Sequence, residues 1–344
     1  MHSQYRRAIF CIFAAACFAS PVLAQSTAPV PIADSRPGAT DAKATTPATS
    51  TPLSVVVTVP PLKGLVEPLL PPGSTITMLV RPGRSEHGYE FTADDIASLA
   101  RADLVVLVGL GLEPRIEQSL DRHKQTSKPQ PTTRVVINWG TVADLTQTGE
   151  DDHDHEHGAT CTHGHGWVDQ HLWLDPSLVK QLIPKLKDAV LQAQRSKLPV
   201  GATIDPQEVQ RLDAAEAQLT LLVTAIDLEY RSALDPFKGR AIVCHHDAYS
   251  RLADRYGLKV AAAIKTTTAG EPTPSELASV VKAIKEHKAQ AVFIEPQFDP
   301  SIAQRVAAAA GVRIAHLDPL GQGDWAATMR SNLQSLTQNL GQAK

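Results

Sequence analysis

Cysteine is scarce in this chain: four in 344 residues, and two of these, Cys11 and Cys17, sit close to the N-terminus. That leaves Cys161 and Cys244, too few for a disulfide-built scaffold. An excess of charge of one sign is lacking as well. Thirty-three basic and 36 acidic residues give a net charge of −3, which speaks against a nucleic-acid partner. The apolar stretch from Ala8 to Ala19 is too short to span a bilayer. No His-Glu-x-x-His pair and no nucleophile motif occurs, so the sequence reads as a non-enzyme. What is present is a 43% hydrophobic composition, enough for one large domain or two ordinary ones.

The N-terminus has the grammar of an export signal. Arg6-Arg7 forms a basic start, Ala8 to Ala19 an apolar middle, and Val22-Leu23-Ala24 a small-residue cleavage site. Residues 1–24 are therefore read as a signal peptide, cleaved after Ala24. The alternative is lipoprotein processing at Cys17 after Ala14-Ala15-Ala16, where the usual leucine is missing. Both readings place the protein outside the cytoplasm, in a bacterial periplasm. An oxidising compartment permits a disulfide between Cys161 and Cys244; the other reading is two unpaired thiols. Residues 25–52, rich in Ala, Thr, Pro and Ser, cannot bury enough apolar surface to offset chain entropy and are expected to be a disordered linker.

From Leu53 onward, short β-branched runs alternate with helical patterns. Ser54–Val59, Thr75–Val80, Leu104–Val108 and Arg134–Ile137 read as strands. So do Ala241–Cys244, Leu258–Ile264, Ala291–Ile294 and Val312–Leu317. Continuous apolar runs separated by helices indicate parallel strands covered on both faces. Thr92 with Asp95, and Thr273-Pro274-Ser275-Glu276, are helix starts. Between the two halves, Asp205-Pro206-Gln207-Glu208 opens one helix of about 28 residues, roughly 40 Å long. Its length and position suggest a strut. The expected fold class is α/β. A first lobe (53–204, with a His-rich loop at 150–166) and a second lobe (236–344) are joined by a rigid helix (205–235), with a site in the cleft between them.

Four pieces carry chemistry. His87, in Ser85-Glu86-His87, lies on a polar loop at the carboxyl end of a strand, where open α/β sheets place ligands. Its neighbour Glu86 reads as a ligand, a base or a solvated side chain. His171 stands between Gln170 and Leu172-Trp173, followed by Asp175 as the cap of a helix that starts at Pro176. The flanking apolar residues direct it inward, off a strand aimed by that turn. His245 and His246 follow a buried strand; neighbours on a strand point to opposite sides, so one of them at most enters a given site. Asp247 is a candidate cap for the next helix, and Asp318, at the end of the last strand, is a candidate oxygen ligand. The acidic tract carrying His153, His155, His157, His163 and His165 has the composition of a loose, exposed metal collector. Three convergent histidines and an oxygen make a tetrahedral zinc site.

Taken together, these stretches resemble the zinc-specific solute-binding proteins of bacterial ABC importers (cluster A-I, the ZnuA type). The resemblance runs from Leu53 to the end. It is carried by Val59-Pro60-Pro61-Leu62, Ser85-Glu86-His87, Ala102-Asp103-Leu104-Val105-Val106, Gly109-Leu110-Gly111-Leu112-Glu113 and His171-Leu172-Trp173-Leu174-Asp175-Pro176, and then by His246-Asp247-Ala248-Tyr249, Glu295-Pro296-Gln297-Phe298 and Leu317-Asp318-Pro319-Leu320-Gly321. It implies two α/β lobes joined by a rigid helix. It also implies Zn²⁺ held by His87, His171 and His246, with Glu86, Asp318 or water as the fourth contact. Manganese-binding relatives carry glutamate where this chain has His246, and the nitrogen ligand favours zinc. The implied partners are an ABC permease and its ATPase subunit, served by a monomeric carrier. A periplasmic zinc buffer or sensor, or an adhesin, is the alternative, and a zinc hydrolase a more distant one.

Overall fold

The computed structural model describes residues 50–125, 134–145, 168–265 and 271–342. Residues 1–24, read as a signal peptide, residues 25–49 of the expected linker, the His-rich tract and Cys161 lie outside these residues. Two four-stranded, all-parallel sheets organise the rest. The first contains β1 (Ser54–Val57), β2 (Thr75–Met78), β3 (Leu104–Leu107) and β4 (Val135–Asn138), in the order β2-β1-β3-β4. Its helices are α1 (Pro60–Val66), α2 (Ala93–Arg101), α3 (Pro114–Gln125) and α4 (Trp139–Val142). Then come α5 (Pro176–Ser196) and the 29-residue α6 (Pro206–Leu234). The second sheet runs β6-β5-β7-β8, from β5 (Ala241–His246), β6 (Lys259–Lys265), β7 (Ala291–Ile294) and β8 (Arg313–His316). Its helices are α7 (Ser250–Tyr256), α8 (Pro274–Glu286), α9 (Ser301–Ala310) and α10 (Trp325–Asn339).

Local chemistry accounts for the element starts. Thr92 and Asp95 form a reciprocal capping box on α2, and Thr273 and Glu276 form another on α8. Asp175 caps α5 by accepting from the Ser177 N–H at 2.8 Å. Gly311, with φ +73°, closes α9. Pro60-Pro61 opens α1, since a proline's missing N–H costs nothing in the first turn. One expectation needs correcting: the described residues just before His171, 168–170, form no strand, and His171 is the N-cap of a short 3-10 turn, Leu172–Leu174.

Strand alternation divides the core. Val55, Val57, Leu104 and Val106 face one way and join a cluster that also includes Ile242, Cys244 and Phe293 from the second sheet. Helices α1, α5, α6, α7 and α10 contribute to that same cluster, so both sheets share one apolar interior. The opposite faces make separate clusters: Val56 and Val105 with Leu99 and Ile116, and Val243 and Val292 with Val280, Ile284 and Val306. Cys244 is a free thiol buried in the shared interior.

The lobes are also fastened by directional bonds. Trp173 Nε1 donates to the Pro319 carbonyl at 2.6 Å, and Trp325 Nε1 donates to the Trp173 carbonyl at 2.8 Å. Tyr230 on α6 donates to the Met329 carbonyl on α10 at 2.6 Å. Arg255 on α7 bridges Asp227 of α6 at 2.7 Å and Asp175 at 3.3 Å. The C-terminal helix thus packs back on the strut.

Candidate metal centre

Three chain segments converge where the two sheets' carboxyl ends face each other. The first is the loop after β2, where Gly83 and Gly88 take φ of +79° and +71° on either side of Ser85-Glu86-His87. The second is the turn carrying His171. It is anchored by Gln170, whose Nε2 donates to the Leu110 carbonyl at 2.7 Å. Leu110 sits in the Gly109-Leu110-Gly111 turn ending β3, with φ of +77°, +57° and +77°. A side chain at position 109 would collide with that of Asn138, so glycine is required there. The third segment is the end of β5. Ile242, Cys244 and His246 share one parity, which faces the shared interior; Val243 and His245 share the other.

One ligand atom each from Glu86, His87, His171 and His246 lies within 4.8 Å of the other three. Glu86 Oε1 is 3.3 Å from His171 Nε2, 3.8 Å from His246 Nε2 and 3.9 Å from His87 Nε2. The two imidazole nitrogens, His171 Nε2 and His246 Nε2, are 3.2 Å apart. A tetrahedral zinc with bonds near 2.0–2.1 Å needs ligand atoms about 3.3 Å apart. Glu86, His171 and His246 are buried, and the His87 side chain is 16% exposed. An opening lined by Arg84, Ser85, Glu90 and Gln297 leads to His87.

Two of the rings are held from behind. His171 Nδ1 donates to Asp169 Oδ1 at 2.8 Å, and His246 Nδ1 donates to Glu295 Oε2 at 2.6 Å. Each carboxylate also accepts the backbone N–H of its histidine, at 2.9 and 3.1 Å. With Nδ1 committed as a donor, each Nε2 presents its lone pair to the common point. Two lone pairs and a carboxylate oxygen aimed at one buried spot repel one another unless a proton or a cation lies between them. Glu86 Oε1 and His87 Nε2 are moreover buried without a hydrogen bond. The donor set, three nitrogens and one carboxylate, fits zinc.

The ionisation pattern follows the same geometry. Burial opposes charge on His171, but the Asp169 and Glu86 carboxylates outweigh it and raise its pKa to about 10. Burial likewise opposes charge on His246, yet Glu295 and Glu86 raise its pKa. Burial pushes His87, which has no carboxylate behind it, down to about 3. Burial opposes charge on Glu86, but the three surrounding histidines outweigh it and lower its pKa to about 2. The metal-free site is an ion pair holding protons where a cation fits.

The other candidates fall elsewhere. His245 is buried on the outward face of β5, 4.9 Å from the Phe298 ring, and burial lowers its pKa to about 4. Asp318 lies outside the convergent group. Its Oδ1 accepts from the Leu320 N–H at 3.0 Å, the Gly321 N–H at 2.9 Å and Gln297 Nε2 at 2.7 Å, so this carboxylate is fastened to its own turn and to Gln297. Asp247 accepts from Ser250 Oγ at 3.0 Å and leaves α7 without a side-chain cap. His153, His155, His157, His163, His165 and Cys161 lie outside the described residues. Sequence reasoning gave no role to Asp169 or Glu295. The Asp169-Gln170-His171 spacing, a carboxylate two residues before the histidine, was a possible signal; Glu295, 49 residues from His246, had none.

A family model described as zinc-uptake complex component A, periplasmic (ZnuA), matches residues 55–339. The chain belongs to the ZnuA family. Among curated ZnuA-type proteins, it is 29% identical over 278 residues to the high-affinity zinc uptake system protein ZnuA of Yersinia pestis, covering 78% of this chain and 84% of that one. Among solved structures, a crystal structure of ZnuA superposes with a TM-score of 0.64 at 22% identity, over 83% of this chain and 98% of the other. The zinc-bound ZnuA-like domain of Streptococcus pneumoniae AdcA gives 0.62 at 22% identity, over 85% and 100%. At these identities the two structures establish a shared ZnuA fold.

Proposed function

We propose that this chain binds one Zn²⁺ in the periplasm through His87 Nε2, His171 Nε2, His246 Nε2 and Glu86 Oε1, and delivers it to an ABC permease driven by an ATPase subunit. The observation that carries this reading is the convergence of those four atoms with both inner rings pre-oriented by carboxylates. Membership of a zinc-uptake family supports the transport role. The donor set also favours a carrier over a hydrolase. Three nitrogens and a carboxylate complete a tetrahedron, whereas catalytic zinc keeps an exchangeable water. Rigid lobes sharing one interior confine metal-dependent change to the His87 loop. The His-rich tract, by its composition, either raises the local zinc concentration or senses zinc sufficiency.

The fourth-ligand assignment has a direct test. Glu86→Gln should weaken zinc binding about tenfold or more, whereas Asp318→Asn should leave it within about twofold, by chelator competition. The reverse ranking would return Asp318 to the site. For the transport role, deleting the gene should stop growth in chelated medium, with rescue by added zinc; normal growth would favour a buffer.

Proton release provides an independent check. At pH 7 the raised pKa of His171 means that zinc must displace a proton, and His246 contributes a further part, while His87 is already neutral. Affinity should therefore rise with pH up to about 10 and fall on acidification. Calorimetry in two buffers of different ionisation enthalpy should report about one to two protons released per zinc. No release would contradict the ion-pair description.

A further inference from the structure

The two pre-oriented histidines are held in different ways. Glu295 belongs to the second lobe, as does the His246 it grips. Asp169, which grips His171 in the first lobe, is itself gripped from the second. Arg251, on α7, donates its backbone N–H to Asp169 Oδ2 at 3.3 Å and its Nε–H to the Asp169 carbonyl at 3.0 Å. The same Nε is 3.8 Å from Asp169 Oδ2. Arg251 therefore occupies one carboxylate oxygen and the main chain of Asp169, while the other oxygen takes the His171 ring and backbone.

We propose that Arg251 is a positioning residue for the metal site: through Asp169 it fixes the orientation and tautomer of His171, so zinc affinity depends on a contact between the lobes that never touches the metal. The inference rests on the cleft reading above. Its physical basis is the two-sided use of one short side chain. An aspartate bound only to His171 keeps rotational freedom about its own Cα–Cβ bond; one clamped on its second oxygen and its carbonyl does not. A ring free to swap which nitrogen carries the proton presents the wrong atom for part of the time, which weakens binding in proportion. Partners behind ligating histidines typically influence metal affinity by about 10–100-fold. The arrangement also links site assembly to lobe docking: α7, which carries the clamp, bears Arg255 in the inter-lobe latch one helical turn further on.

The test uses the full chain and a chelator tight enough to exclude weak binding by the His-rich tract. Asp169→Ala should lose about 10–100-fold in zinc affinity; Arg251→Ala keeps the backbone N–H on Asp169 Oδ2, loses only the side chain's hold on the carbonyl, and should lose about tenfold, the low end of that range. The double variant should be no weaker than Asp169→Ala, because Arg251 acts through Asp169. Arg251→Lys, which can still donate to the Asp169 carbonyl, should recover most of the loss. Arg211→Ala, which removes the Glu208 ion pair and the bond to the Leu69 carbonyl, is the control for a merely structural role: it should lower the melting temperature and leave affinity unchanged. Nitrogen-15 NMR of the zinc-loaded protein should show His171 bound at Nε2 with its proton on Nδ1 in the wild type, and mixed nitrogen shifts in Arg251→Ala. An Arg251→Ala affinity within twofold of wild type, losses that add in the double variant, or an unchanged His171 spectrum would each overturn the inference alone. Loss of the cleft reading is recognised separately, as a wild-type protein whose tight site survives His246→Ala.

Discussion

His246→Ala should abolish tight zinc binding while leaving the fold intact. Zinc held by four protein ligands is bound with roughly 10–16 kcal/mol, about 3–4 kcal/mol per ligand. Removing one ligand therefore costs about 10²–10³ in affinity. Removing His246 also leaves Glu295 buried beside an empty space without its partner, where burial already raises its pKa, so the variant should lose some stability as well as affinity. Chelator competition measures the effect directly. His245→Ala is the matched comparison: the neighbouring imidazole has the opposite strand parity and lies outside the convergent group, and zinc affinity should stay within about twofold of wild type. Equal losses at the two positions would mean that the end of β5 is not the regular strand described.

Trp173→Ala should produce the largest loss of stability. The indole is fully buried, rests 5.4 Å from the His171 ring and is packed in the interior common to both lobes. Large-to-small replacement of a buried tryptophan costs about 3–5 kcal/mol. Here the Pro319 carbonyl also loses its donor at a buried inter-lobe contact, adding about 1–3 kcal/mol. Denaturant unfolding should show a midpoint lowered accordingly. Because the contact joins the lobes, zinc affinity should fall with it. A variant that unfolds as the wild type does would mean that the shared interior holds the lobes without this residue.

The fold was legible wherever a local rule decides. Eight runs matched the eight strands of the described residues: the central β1, β3, β5 and β7 are buried almost throughout and have no polar position to disguise them, whereas edge strands such as β2, β4 and β8 carry exposed positions and were marked by their β-branched residues. Capping residues marked the starts of α2, α5, α6 and α8. The return of α10 onto α6 was not legible. It depends on pairs such as Tyr230 with Met329, 99 residues apart, and such pairs leave no periodic trace.

For the site, the sequence narrowed Glu86, His87, His171 and one histidine of the His245-His246 pair. Strand parity then separated that pair: His246 continues the face of Ile242 and Cys244. Asp318 illustrates the opposite case. Its place after the last strand made it a plausible oxygen donor, but two backbone N–H groups and Gln297 claim that oxygen first. Competition of that kind is invisible until the turn is folded. The roles of Asp169, Glu295 and Arg251 were hidden for a related reason, since each is defined by the partner it meets.

The central claim is that the cleft, and not the His-rich tract, is the high-affinity zinc site. Titration of the chain lacking residues 150–165 with zinc and manganese, against a calibrated chelator, tests it most directly, with His87→Ala in the same background. One tight zinc site that is lost in His87→Ala and blind to manganese is the predicted result. A deletion protein without a tight site would contradict the account and make the tract the metal binder.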